Sequence, residues 1–223
     1  MSARGERHLS VEEEEEETPG PLRLTVPLGT TIREGRVTLR VLRASDVRAM
    51  RAFLVDNHEH LSPWLQRPRP GEVPTSLVDV AKKIAGQRKE WREGRGFALG
   101  IFVEDREGKR RTSRLIGRVN LNNVVRGAFQ NAYLGYMIAK SHEGRGLARE
   151  AVSAACEFGF RTLRLHRVQA AIIPHNQRSV ALIRALGFRE EGRAQGYLMI
   201  DGAWRDHLIY AITRDEWRST ARA

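Results

Sequence analysis

Gly144, Arg145 and Gly146, with Leu147 and Ala148 behind them, stand directly after the apolar run Tyr136-Met137-Ile138-Ala139 and directly before a stretch of helical periodicity. A helix that starts at a glycine turn presents unpaired backbone N–H groups and the positive end of its dipole. Glycines let an anion approach without a Cβ in the way. Residues in this order can hold a phosphate or pyrophosphate on main-chain amides. Gly94-Arg95-Gly96 has the same letters but follows a helix and precedes a strand, where glycines serve as a C-cap. The sequence has no G-x-x-x-x-G-K-[ST], and Arg149 stands where a dinucleotide fingerprint places a small residue. Nucleoside triphosphates and dinucleotides are therefore poor candidates for this loop.

A second stretch, Pro174-His175-Asn176-Gln177-Arg178-Ser179, opens another helix about 30 residues further on. Asn176 and Ser179 lie one turn apart, where side chains either cap the helix or face a ligand along the preceding strand. Cys156 sits mid-helix with no basic neighbour in sequence and reads as packing rather than as a covalent carrier. His58 and His60 flank Glu59, but no third ligand follows at suitable spacing, so no metal is expected.

These residues need elements to position them. Residues 1–34, with the run Glu12 to Glu17 and then Thr18-Pro19-Gly20-Pro21, cannot bury apolar surface and read as a disordered acidic tail. Residues 35–217 have the composition of one folded domain, and 218–223 read as a C-terminal tail. The domain pattern predicts a strand over 37–42, a helix capped by Ser45 and running to about 56, and a helix capped by Ser76. That last helix should bury Leu77, Val80, Ala81, Ile84 and Trp91. A hairpin of strands 97–103 and 114–125 follows, then a strand 133–138, a helix 147–163, a strand 167–173 and a helix 177–186 stopped by Gly187. Two closing strands meet at Asp201-Gly202, a type I′ turn signal. Hairpins mixed with crossovers imply an α+β class with a mixed sheet.

Bulk properties set the outer bounds. The formal net charge is +11, but residues 1–21 hold two basic and seven acidic residues, a net −5, which leaves +16 on residues 22–223. So basic a domain attracts polyanions such as nucleic acid, the ribosome or a phosphorylated ligand. The single cysteine rules out a disulfide framework, and no run reaches the 18 or so apolar residues a membrane helix needs, so a cytoplasmic protein with no membrane partner is expected.

Together the two strand–loop–helix stretches resemble the GNAT superfamily of acetyl-CoA-dependent N-acetyltransferases. The family's [QR]-x-x-G-x-[GA] loop corresponds to Glu143 through Ala148, with Glu143 in the place usually held by Gln or Arg. A carboxylate there weakens pyrophosphate binding unless it points away. "HLSPW" (60–64), "NNVVRGAFQNAYLGYMI" (122–138), "PHNQRS" (174–179) and "GYLMIDGAWRDHLIYA" (196–211) further resemble the ribosomal-protein-alanine N-acetyltransferases of the RimJ kind over residues 35–217. The resemblance implies a GNAT fold: a mixed, mostly antiparallel twisted sheet of about seven strands flanked by helices, with splayed central strands that admit the pantetheine arm. It implies acetyl-CoA as co-substrate, held by Met137, Ile138, Gly144, Arg145, Gly146, Leu147, Ala148, Asn176 and Ser179. The implied acceptor is an N-terminal alanine of a ribosomal protein, with the ribosome as a further partner. The sequence leaves monomer and homodimer open.

An α-amine, with a pKa of about 7.7–8.0, is roughly a tenth neutral at pH 7, whereas a lysine amine at about 10.4 is almost wholly protonated. The strand 133–138 carries no isolated carboxylate, which suits an α-amine that needs little help. The expected mechanism is direct transfer in a ternary complex. A backbone N–H near Met137 or Ile138 stabilises the oxyanion, Ser179 meets the departing thiolate, and Tyr133 and Tyr197 are held in reserve. On the acceptor side the resemblance names His60 and Trp64, and Asp206 could pair with an incoming α-ammonium. The same residues also admit an acetyltransferase for a small-molecule amine or a protein lysine, or a non-catalytic RNA or ribosome binder.

Overall fold

The computed structural model describes residues 25–68, 75–107 and 110–220. One eight-stranded sheet runs through it: β1 (Thr31–Glu34), β2 (Val37–Arg40), β3 (Phe97–Glu107), β4 (Arg110–Val125), β5 (Asn131–Ile138), β6 (Arg167–Ile172), β7 (Arg189–Ile200) and β8 (Ala203–Thr213), in the spatial order β1-β2-β3-β4-β5-β6-β8-β7. Only β5 and β6 pair in parallel, with the helix α4 (Leu147–Glu157) in the connection between them. The remaining pairs are antiparallel, as expected for a mixed, mostly antiparallel sheet.

Two apolar cores cover the two faces. On one side, α4, α5 (Gln177–Ala185) and α6 (Arg214–Thr220) pack around Leu121, Leu134, Val152, Val168, Ile183 and Trp217. The buried face of α4 is mostly small, with Ala151, Ala154, Ala155 and Cys156, so the helix lies close to the strands. On the other side, α1 (Val47–Asp56), the single turn α2 (His58–Leu61) and α3 (Leu77–Arg92) cover Leu42, Phe102 and Ala139 with Met50, Phe53, Leu61, Val80 and Ile84.

Local signals place most boundaries. Ser76 caps α3 by accepting from the Asp79 N–H at 3.0 Å. The helix ends at Gly94 (φ +68°) with Gly94 N–H on Trp91 O and Arg95 N–H on Glu90 O, so this glycine is the C-cap expected of it. Gly187 (φ +84°) ends α5 in the same way. Asp201 and Gly202 both take positive φ, +47° and +76°, which closes β7 onto β8.

The structure corrects four boundaries. The domain starts before residue 35: β1 pairs Thr31–Glu34 with β2 and makes the sheet one strand larger than expected, and Val26 is buried. The rest of the expected tail, residues 1–24, lies outside the described residues. At the other end α6 continues to Thr220, past the expected boundary at 217. The start of α1 is organised by Asp46, not Ser45, through bonds from Arg43 N–H and the Arg40 guanidinium. Leu77 and Ala81 of α3 face solvent; the helix buries Val80 and Ile84 in the smaller core and Trp91 in the larger one. The helix expected over 147–163 leaves α geometry at Glu157 and finishes as a π turn, Phe158–Thr162.

Trp91 shows how the early segment is held. Its indole N–H donates to Val26 O at 2.8 Å, and its ring packs against Phe97 and Phe158. Trp91→Ala is expected to cost about 3–5 kcal/mol of unfolding free energy, measured by urea titration, because the cavity opens in the larger core.

Candidate active site

The central opening follows from strand register. β5 pairs with β6 only from Asn131 to Leu134, yet it stays paired with β4 as far as Ile138, and β6 stays paired with β8 to Ile172. From Gly135 onward β5 therefore presents a free edge to the gap. The Ala139 N–H bonds Ile116 O on the β4 side at 2.8 Å. Strand alternation then turns the Met137 N–H to β4 and the Tyr136 and Ile138 N–H groups into the opening. Of the two amides expected to face a reacting carbonyl, Ile138 is so placed and Met137 is not.

At the mouth of this gap lies the glycine loop. Gly144 and Gly146 hold φ of +69° and +76°, a region closed to most side chains, and Gly146 is the N-cap of α4 without any side-chain cap bond. The first backbone bond of the helix runs from Glu150 N–H to Gly146 O. Among the described residues, the amides of Gly144, Arg145, Gly146, Leu147 and Ala148 have no acceptor, and a Cβ built on Gly144 meets nothing within 4 Å. The loop is thus an open row of donors at a helix N-terminus, fit for a diphosphate.

Two carboxylates, Glu150 and Glu143, shape this loop, and sequence reasoning missed the partners of both. Arg36, in the β1–β2 turn, donates to Arg145 O at 2.6 Å and to the Glu150 carboxylate. The Glu143 carboxylate has His60 Nε2 at 3.2 Å from one oxygen and Arg178 bound to the other. The carboxylate in the unusual loop position is thereby engaged by a neighbour on each side, with Arg178 supplying the opposite charge. No sequence signal joins partners 83 or 35 residues apart; the sheet brings them together.

The second stretch opens α5 across the gap. Asn176 Oδ1 accepts from the Ser179 N–H at 3.2 Å, so the asparagine oxygen serves as the cap. The capping partner is the Ser179 amide, which leaves its half-buried hydroxyl outside the cap. Tyr136, also missed, reaches from β5 to Ser179 O at 3.4 Å. Burial pushes its phenol up to about 12, so it is protonated at neutral pH. Its signal was present in the strand alternation: Tyr136 shares the α5 face with Leu134, whereas Tyr133 and Met137 share the other.

Tyr133 and Tyr197 come together on that other face. Burial and the neighbouring Tyr133 raise the pKa of Tyr197, whose ring meets buried His207 edge-on at 5.7 Å. The segment 57–67 arches beside them as a strap. Asn57 Oδ1 accepts from Lys140 N–H, His60 pairs with Glu143, Trp64 packs on His175 at 5.3 Å, and Leu65 O and Arg67 bind Asp201. His60 and Trp64 therefore border the opening while holding its parts together. Asp206 is not a free carboxylate: it accepts from Gly196 N–H and pairs with Arg193, and these contacts hold its pKa down. It braces the bulge of β7. Burial drives the Cys156 thiol far above its usual range, which suits packing and not nucleophilic attack.

Residues 36–189 match the model of the acetyltransferase (GNAT) domain family. The chain is 35% identical over 182 residues to the [ribosomal protein uS5]-alanine N-acetyltransferase of Escherichia coli (strain K12), covering 82% of this chain and 90% of that one. Among solved structures, Mycobacterium smegmatis RimJ in complex with CoA-disulfide superposes with a TM-score of 0.74 at 31% identity, over 87% of this chain and 96% of that one. The ribosomal-protein-S5-alanine acetyltransferase of Vibrio fischeri gives 0.73 at 26% identity, over 84% and 98%.

Proposed function

Because the chain belongs to the GNAT acetyltransferase family and is an acetyl-CoA-dependent N-acetyltransferase, we propose that it acetylates the N-terminal α-amine, an alanine, of a ribosomal protein. The observation that carries this reading is the free edge of β5 from Gly135 to Ile138, with an open row of amides at one end and polar and aromatic side chains on the far face. Bound there, acetyl-CoA supplies an activated acetyl thioester.

The protein's own groups have separate tasks. The amides of Gly144 to Ala148 take the diphosphate, and Arg36 holds the loop so that they face outward. The free edge of β5 that begins at Gly135 lies along the pantetheine arm, with the Tyr136 N–H pairing with one of its amides as a missing strand would. The Ile138 N–H is placed to stabilise the oxyanion. The Ser179 hydroxyl delivers a proton to the departing sulfur, while the Tyr136 phenol donates to the carbonyl of the same residue. The amine substrate enters from the Tyr133–Tyr197 side, under the strap that carries His60 and Trp64. No free carboxylate is needed there, since an α-amine is partly neutral at pH 7. The relatives named above act on alanine of a ribosomal protein, which favours a polypeptide terminus over a small amine or a lysine.

The test is incubation with labelled acetyl-CoA and a whole small-subunit ribosomal protein extract, followed by mass spectrometry of the labelled chain. One acetylated N-terminal alanine is expected. Label on internal lysines, or preference for a free polyamine, would replace this acceptor with another.

A further inference from the structure

On the sheet face turned to α1 and α3, β4 carries Arg118, Asn120 and Asn122, opposite Met137, Gly135 and Tyr133 of β5. The alternate residues Val119 and Leu121 enter the core on the other face. Across the β3 side, Arg118 opposes Gly100 and Asn120 opposes Ala98. Asn120 thus stands between residues with little or no side chain, and Arg118 between Gly100 and Met137. A Cβ built on Gly135 would meet only Asn122 Nδ2, at 3.8 Å. This row runs beside the very stretch of β5 that has parted from β6.

Arg118 and Asn120 are only 7% and 9% exposed, and among the described residues Arg118 Nε and Asn120 Oδ1 have no hydrogen-bond partner. Burial alone lowers the guanidinium pKa to about 10, with no charged neighbour contributing, so it remains charged at neutral pH. A buried guanidinium with its Nε unpaired, beside an unpaired amide oxygen, opposes folding, and a ligand that supplies both partners relieves the cost. The diphosphate is not that ligand, because the glycine loop opens α4 on the opposite face.

We propose that Arg118 and Asn120 form the subsite for the acceptor's backbone, the guanidinium donating to a carbonyl of its first residues and Asn120 Oδ1 accepting a nearby N–H. A polypeptide N-terminus offers an amine, a carbonyl and a peptide N–H within a few atoms, in matching order. The assignment rests on the reading of the chain as an N-terminal acetyltransferase.

Arg118→Met separates this role from a structural one. A hydrogen bond to a charged group contributes about 1.5–3 kcal/mol, so KM for an alanine-terminated peptide should rise roughly 10–100-fold. Turnover of a simple alkylamine, which lacks the carbonyl, should not change, and calorimetry should find acetyl-CoA affinity within about twofold of wild type. The melting temperature should hold or rise, because an apolar side chain replaces a buried charge. Arg118→Lys should recover part of the peptide KM. An unchanged peptide KM, an equal loss with the alkylamine, weaker acetyl-CoA binding or a sharp fall in melting temperature would each overturn the subsite. If the wild-type protein binds acetyl-CoA but transfers to no peptide, the functional reading fails and the subsite falls with it.

Discussion

Ser179→Ala is expected to lower kcat by about 10²-fold while leaving acetyl-CoA affinity and melting temperature close to wild type, as befits loss of a proton donor at a leaving group. The prediction is sharp because the serine's two roles separate. Its amide satisfies the α5 cap through Asn176 Oδ1, and alanine keeps that amide. Only the hydroxyl disappears. Steady-state kinetics with saturating acetyl-CoA, alongside calorimetry, isolates the chemical step. Tyr136 supplies the comparison. Its phenol lies at 3.4 Å from Ser179 O and, pushed up to about 12, carries a proton at neutral pH. Should Ser179→Ala retain full turnover while Tyr136→Phe loses it, the proton donor would be the tyrosine.

Gly146→Val should weaken acetyl-CoA binding by about 100-fold, since a β-branched residue is a strong outlier at positive φ and the backbone must leave that region. Gly146 sits at φ +76° as the N-cap, and its added Cβ would meet Arg36 Nη2 at 3.2 Å. The substitution both turns the donor amides and pushes away the guanidinium that holds Arg145 O. Arg36→Met should give a smaller loss of the same kind, because the loop keeps its glycines and loses only the clamp. Isothermal calorimetry with acetyl-CoA checks both, and the Gly146 variant binding as wild type does would remove the loop from the diphosphate site.

Much of the fold was legible in short stretches. Ser76, Gly94, Gly187 and the Asp201-Gly202 pair act through bonds within six residues of themselves, so local chemistry is enough to place them. The glycine loop was legible for the same reason: left-handed φ and a helix start are written in adjacent letters. β1 was missed because Thr31–Glu34 is short and mostly exposed, and gains its place only by pairing with β2. Asp206 read as a candidate for the amine because its sequence neighbours do not include Arg193 or Gly196, which face it only once β7 lies against β8.

The sequence by itself determined where α3 starts, where α3 and α5 stop, that a row of amides opens α4, and that Asn176 and Ser179 open α5. These follow from dihedral preferences and unpaired N–H groups a few residues apart. Tertiary structure alone decided which strand edge is free, which face Tyr133 and Tyr136 take, where Glu143 finds its two partners, and that Arg118 is buried with its Nε unpaired. Those depend on register between strands far apart in the chain, and a shift of one residue would exchange every side chain between the two faces.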